Sequence, residues 1–415
     1  MSEKKKVLLC LNHLGGREID FVLKAFADNW LVPLGPDVEA FESALESFIG
    51  GDRKAVALCS GTAAMHIALD CCGVGPDDEV MVPTFTFCAS VNPVVYLGAT
   101  PVFVDSEPST WNMDPALLDA AIDARVRATG RLPKAIIVVD LYGMPASLDA
   151  VAAVAAKWEV PLIEDAAEAF GSSYGGRRCG SFGRFGVLSF NGNKMITTSG
   201  GGALMCADSE LAWRAMYLAT QARQGYAYYQ HDEIGYNYRL SNISAAIGRG
   251  QMLVADEHIS HHRHVHALYR ELLSGTEGVT LLDNPSAEYD SNFWLCNILL
   301  DSRVRVRGRE RAYTVGVQGA VGGAAATTAD ARSVHTDCEP SADVEALRLR
   351  LAEEGIESRP LWKPLHRQPV FAGAPAFING VAEELFTNGL CLPAGPWVSD
   401  GDVRRITDII TASLR

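Results

Sequence analysis

The run Ser189-Phe190-Asn191-Gly192-Asn193-Lys194-Met195-Ile196-Thr197-Thr198-Ser199-Gly200-Gly201-Gly202 sets one lysine between a strand-like segment and a flexible turn. Gly186-Val187-Leu188-Ser189-Phe190 before it is apolar enough for a buried strand; polar residues and glycines follow. A lysine that traps a carbonyl needs such a setting. Its stem must be partly desolvated, so that the neutral amine is accessible. Small neighbours must let a flat ring approach the backbone. A surface lysine at a strand end has the same local sequence, so the run alone leaves both readings open.

Working outward, a repeating pattern surrounds this run. Ala55–Cys59, Val80–Val82, Val102–Val104, Ala135–Asp140, Pro161–Ile163, Val187–Phe190 and Ala203–Cys206 read as strands. Helices are predicted over 17–30, around Val38–Phe48, and over 63–72, 115–127 and 148–157. Aliphatic strands alternating with helices imply an α/β fold with a largely parallel sheet covered on both faces. Ligands of such sheets bind at the carboxyl ends of strands. From Ser241 to Leu273 the chain reads as one long helix. Beyond it come a strand over 292–300, a helix over 343–354, a short strand at 356–359 and a terminal helix over 402–414. Two domains are expected: residues 1–250 as a large unit, its N-terminal segment reaching towards the small one, and 251–415 as a smaller α+β unit. Residues 303–340 open with alternating arginines and continue rich in Gly, Ala and Thr, as a surface insertion or mobile loop does.

Bulk properties narrow the function. At 415 residues the chain is long for one core. A net charge of −14 argues against nucleic acid or an anionic membrane surface as main partner. The ten cysteines include no C-x-x-C pair and mostly sit in apolar runs, as reduced core cysteines do. No apolar run has spanning length and the N-terminus lacks a signal-peptide core, so a cytoplasmic enzyme or binding protein is expected.

The polar clusters follow the strands. Ser60-Gly61-Thr62 closes a strand and opens a helix: a phosphate cradle, or a plain N-cap. Glu164-Asp165-Ala166-Ala167-Glu168 puts acids just past a buried strand. Asp165 there either holds a protonated ring nitrogen or sits in an ion pair. Phe85 and Phe87 in Thr84-Phe85-Thr86-Phe87 are a ring-stacking partner or core. His258, His261, His262, His264 and His266 include i,i+4 pairs able to ligate a metal, but no H-E-x-x-H is present. A solvated helix face and no metal are expected. Gly180–Gly186 precedes a strand, not a helix, so it is no dinucleotide fingerprint.

Together these runs, with Gly235-Tyr236-Asn237-Tyr238-Arg239, resemble the sugar-aminotransferase family of pyridoxal-phosphate enzymes (DegT/DnrJ/EryC1/StrS type). That resemblance covers roughly Leu14 to the C-terminus except 303–340, and implies the aspartate-aminotransferase-like fold (fold type I). Asn191-Gly192-Asn193-Lys194, Thr220-Gln221-Ala222-Arg223 and Glu357-Ser358-Arg359-Pro360-Leu361-Trp362-Lys363-Pro364-Leu365-His366 are similar to the subgroup that aminates C4 of UDP-4-keto-6-deoxy-N-acetylglucosamine, on the way to bacillosamine-type sugars. The resemblance implies pyridoxal 5'-phosphate as cofactor, with Lys194 as Schiff-base lysine and proton shuttle and Asp165 on the pyridine nitrogen. It further implies Gly61, Thr62 and Ser189 on the phosphate, Phe87 stacked on the ring, and Glu168 near the phenolic oxygen, where many relatives have His or Gln. Asn237 would reach the neighbouring subunit's cofactor, which implies a homodimer with shared sites. Asn191, Arg359, Lys363 and His366 are candidates for the nucleotide sugar.

The implied reaction is a ping-pong transfer. L-Glutamate leaves its amino group as pyridoxamine 5'-phosphate, and a 4-keto sugar then takes it. Five alternatives stand beside it. One is a pyridoxamine-dependent dehydratase, which has His at the imine position, against Lys194. The others are a GDP-perosamine-type synthase, a 3-keto-sugar aminotransferase, a non-catalytic sensor, and an NAD-dependent epimerase or dehydratase, which lacks its glycine motif here.

Overall fold

The structure, a computed structural model, describes residues 5–312 and 338–415. Between them it describes only the backbone pairing of Ala320–Val321 with Ala324–Ala325. Most of the expected 303–340 insertion therefore lies outside the described residues. Its arginine-rich start is an ion-paired edge: Arg303 bonds Asp301, Arg309 bonds Asp343 and Arg311 bonds Glu353.

The seven predicted aliphatic segments supply seven strands of one eight-stranded sheet. Its strands are β1 (Lys54–Leu58), β2 (Glu79–Pro83), β3 (Thr100–Val104), β4 (Ala135–Val139), β5 (Leu162–Asp165), β6 (Phe185–Ser189) and β7 (Gly202–Cys206). A second sheet holds β8 (Val279–Leu281), β9 (Cys296–Leu300) and β10 (Arg359–Pro360); β11 (Ala376–Phe377) returns to the first sheet and β12 (Gly389–Leu392) completes the second. The large sheet runs β1-β7-β6-β5-β4-β2-β3-β11 and the small one β8-β9-β12-β10. Every pairing in the large sheet is parallel except those of β7, which runs against β1 and β6. The strand interiors are fully buried, as expected when helices cover both faces. Val7 bridges Ile356 and packs in the core of the small sheet.

Three local expectations change. The helix predicted over 241–273 is two, Asn242–Met252 and Ala255–Leu273, broken at Leu253–Val254. Gln251 explains part of the bend: its amide donates to the His13 carbonyl and Glu18, tying the first helix's end to the N-terminal segment. The strand predicted over 292–300 starts only at Cys296. Asn292 accepts the Trp294 N–H on its own side chain, and Phe293 takes φ +49°, so 291–295 is a knotted turn instead of a strand. The first helix forms (Glu18–Ala27), but its apolar stripe of Ile19, Leu23 and Phe26 faces outward, each more than half exposed.

The histidine helix also departs from expectation. His258, His262 and His266 are buried, not solvated. Their ring nitrogens meet the carbonyls of Met195, Phe293 and Leu282, and His266 stacks on Phe293 at 3.5 Å. The i,i+4 spacing thus makes a stripe of imidazoles against backbone, with burial pushing His262 down to about 3.

Candidate active site

The carboxyl ends of the parallel strands converge on a cleft of about 370 Å³. A cavity of about 460 Å³ lies at the other end of the strands, around Glu79, Lys134, Pro161 and Arg184. That end carries mixed charge and none of the chemistry described below.

β1 ends at Leu58, and Ser60 caps the helix Gly61–Cys71 by accepting the Ala63 N–H on its hydroxyl, at 3.0 Å. The N-cap reading of Ser60-Gly61-Thr62 is thus met by Ser60. Ser60 spends its hydroxyl on the cap, while Gly61 and Thr62 line the cleft at a helix start, where N–H groups lack intrahelical acceptors. The start of β7 lies so close to the helix start that a Cβ on Gly202 would be 2.4 Å from the Gly61 nitrogen. A Cβ on Gly61 would stand 3.0 Å from Ser189 Cβ at the end of β6. The glycines thus bring Ser189 beside the helix start and leave a small-walled cradle.

Asp165 closes β5 and is buried at 6% exposure. Its Oδ2 accepts the Ser90 hydroxyl at 2.7 Å and its Oδ1 the Ala167 N–H at 3.2 Å. Burial raises its carboxyl above the ordinary range, against those two donors and the charge of Lys194, which pull it down. Ser90 is in turn fixed by Thr86 at 3.0 Å.

Lys194 lies in the turn after β6. Its Nζ is 3.2 Å from Glu168 Oε1 and 4.3 Å from the centroid of the Trp294 ring. Among the described residues it is the one lysine lining the cleft. Glu168 Oε2 accepts the Tyr142 N–H at 2.7 Å. Tyr142 has φ +57°, uncommon for a bulky residue, and is held there from two sides. Its N–H is on Glu168 and its hydroxyl accepts the Trp362 N–H at 2.9 Å. Phe87, half exposed, faces the cleft with its ring 5.7 Å from Trp362.

Beneath Asp165 lies a second acid pair. Asp140, Glu164 and Cys179 bring one polar atom each within 4.8 Å of one another, all buried. Both Glu164 oxygens accept backbone N–H groups, from Gly180 and Phe182. Burial pushes Asp140 up to about 7 and Glu164 well above the usual carboxylate range. Two carboxyls so close and so dry resist being charged together.

Of the sequence candidates, Gly61, Thr62, Phe87, Asp165, Glu168, Ser189, Asn191 and Lys194 line this one cleft. Asn237 does not; it is exposed and pairs through its backbone with Thr220. Arg359 bonds Glu357 at 2.8 Å, and neither it nor half-buried Lys363 lines the cleft. His366 is held between Thr84, 2.6 Å from Nδ1, and Glu383, 3.1 Å from Nε2, so both ring nitrogens already have partners. Ser90, Trp294 and Trp362 line the cleft without having been anticipated. Ser90 lies three residues past Phe87 with nothing local to mark it, and Trp294 is a hundred residues from the lysine turn it touches.

A buried acid, a small-walled cradle at a helix start and a single amine, lining one cleft among the described residues, are a donor set that fits pyridoxal 5'-phosphate. The chain matches the model of the DegT/DnrJ/EryC1/StrS aminotransferase family over residues 12–321 and 332–411. It belongs to that family. It is a pyridoxal-phosphate-dependent sugar aminotransferase with the fold expected for one.

Among similar proteins, EpsN of Bacillus subtilis (strain 168), described as a pyridoxal phosphate-dependent aminotransferase, is 41% identical over 98% of this chain and 95% of its own. The GDP-perosamine synthase of Caulobacter vibrioides is 34% identical, with 98% of each chain covered. A solved family aminotransferase from Brucella abortus superposes with a TM-score of 0.81 at 29% identity, covering 95% of both chains.

Proposed function

We propose that this aminotransferase moves the amino group of L-glutamate to C4 of a nucleotide-linked 4-keto-6-deoxy sugar, with UDP-4-keto-6-deoxy-N-acetylglucosamine as the acceptor and a UDP-4-amino-4,6-dideoxy-N-acetyl sugar as product. The observation that carries the chemistry is Lys194, the cleft's one lysine, with Glu168 3.2 Å from its amine and Asp165 buried in the same cleft. When bound, the cofactor supplies an electron sink that stabilises negative charge on the donor's carbon. Asp165 would keep a positive charge on the ring nitrogen, Gly61, Thr62 and Ser189 would hold the phosphate, and Phe87 would cover the ring. Lys194 carries the proton between carbons, with Glu168 steadying its charged form.

The C4 and UDP parts rest on the resemblance of the Asn191-Gly192-Asn193-Lys194 run, whose two asparagines line the cleft, to the subgroup that aminates C4 of UDP-4-keto-6-deoxy-N-acetylglucosamine. The names of the perosamine synthases favour a second reading, a GDP-linked acceptor. Incubation with L-glutamate and UDP-, GDP- and dTDP-4-keto-6-deoxy sugars, read by mass spectrometry and NMR, separates the two. Turnover confined to the GDP sugar overturns the UDP assignment.

We assign the homodimer to the outward apolar stripe. Ile19, Leu23, Phe26, Leu31, Val32 and Leu34 are exposed together over one short segment, more than a lone soluble chain ordinarily leaves in water. In such a dimer exposed Asn237 reaches a neighbouring cofactor. Among the described residues no helix is long and apolar enough to cross a membrane, and we place the enzyme in the cytoplasm.

A further inference from the structure

Trp294 is bonded to the lysine turn twice. Its ring face lies 4.3 Å from Lys194 Nζ, and its indole N–H donates to the Asn193 carbonyl at 2.7 Å. The ring is itself anchored. The Trp294 N–H donates to Asn292 Oδ1 at 2.8 Å, and Asn292 Nδ2 donates to the carbonyls of Glu168 at 2.9 Å and Phe170 at 3.0 Å. Asn292 is fully buried, and a Cβ on Gly143 would lie 1.8 Å from its Oδ1, so only glycine leaves room for it there. One buried asparagine therefore fixes the ring and the Glu168 backbone to each other, and Nζ lies within reach of both.

We propose that Trp294 is a positioning residue that seats the ammonium form of Lys194. The inference rests on the reading of Lys194 as the cofactor-bearing lysine and goes beyond it. When Lys194 acts as base, the donor's α-C–H bond breaks heterolytically, the proton forms a new N–H bond on Nζ, and the electron pair stays with the carbon and the bound cofactor. The amine becomes a cation in a nearly dry cleft. A ring face on one side and a carboxylate on the other stabilise that cation where it forms, the desolvated ring by cation–π attraction. The indole N–H also bonds the preceding carbonyl and so orients the ring, but the seating of the cation is the work of the ring face.

The test compares Trp294→Phe, which keeps a ring face, with Trp294→Leu and Trp294→Met, which do not; one folded non-aromatic variant suffices. In the cofactor-free protein, Lys194 is labelled with an amine-acylating reagent at neutral pH and read by peptide mass spectrometry, the other lysines serving as internal controls. In the holoenzyme, single-turnover rates are measured with L-glutamate and its α-deuterated form. The expected result is Lys194 labelling raised at least threefold and a larger isotope effect in the non-aromatic variants, with Trp294→Phe within twofold of wild type. Unchanged labelling and isotope effect in a folded non-aromatic variant overturn the proposal, and so does a Phe variant that behaves like Leu. Failure of the parent reading shows separately: borohydride treatment of the wild-type holoenzyme would then leave no cofactor mass on Lys194.

Discussion

Lys194 Nζ and Glu168 Oε1 are paired at 3.2 Å across the cleft, with 14% and 6% of the two side chains exposed. A pair this dry is not screened as a surface ion pair is. The two residues nevertheless differ in what they supply. In the proposed reaction the amine is the reacting group, and the carboxylate holds it.

Lys194→Ala should therefore lower turnover by at least ~10³-fold, the scale of a positioned acid–base group, and remove the borohydride-trapped cofactor. Glu168→Gln keeps an oxygen for the Tyr142 N–H and loses only charge. Its turnover should stay within roughly tenfold of wild type, about 1.4 kcal/mol. Steady-state kinetics with glutamate and peptide mass spectrometry check both; wild-type turnover of Lys194→Ala is incompatible with the site.

Ser90→Ala removes one of the two donors that oppose the effect of burial on Asp165. The carboxyl should then titrate at higher pH and be neutral over more of the acid range. The acid limb of the pH–rate profile should move upward, with a loss of about tenfold near pH 6 and less at pH 9, from a charged hydrogen bond of about 1.5 kcal/mol or more. An unmoved acid limb would detach Asp165 from the ring nitrogen.

Asp140 makes stability fall with rising pH. Its folded carboxyl is raised by burial to about 7 from 3.8, so between those values the folded state binds more protons than the unfolded. Stability from this group is present below the unfolded value and lost as pH rises through about 7. Asp140→Asn should raise Tm at pH 8 by roughly 2–5 °C and change it little at pH 4. Calorimetry at the two pH values decides; an equal shift at both excludes a titrating group.

His262 works in the opposite sense. Burial lowers its folded value to about 3 from 6.5, so the unfolded state binds the extra proton between them. Stability is complete above 6.5 and is lost as pH falls towards 3. His262→Gln, able to donate to the Phe293 carbonyl, should unfold less readily in acid than wild type relative to its stability at pH 7. Acid titrations followed by circular dichroism measure this.

The large sheet was legible because its strands are nearly pure aliphatics, a pattern that only double-sided burial explains. Lys194, Asp165 and Gly61 were legible because each follows such a strand. Residues whose partners are distant in sequence were not. Trp294 touches the lysine turn a hundred residues before it, and nothing local marks an indole for that task. Histidines at i,i+4 read as a solvated face, yet imidazole is also flat enough for a core; the deciding carbonyls of Met195, Phe293 and Leu282 come from other elements. The break at Leu253–Val254 carries no glycine or proline to announce it.

Strand β11 gives the protein an order of assembly. It pairs with β3 at the outer edge of the cofactor-bearing sheet, yet it lies at Ala376–Phe377, long after the other seven strands have left the ribosome. Until then β3 stands as an open edge of the kind that invites pairing between nascent chains. Trp294 is likewise synthesised well after the lysine it holds. Cutting the gene after residue 250 would yield a sheet with a bare edge and a lysine turn without its indole anchor, not a smaller enzyme.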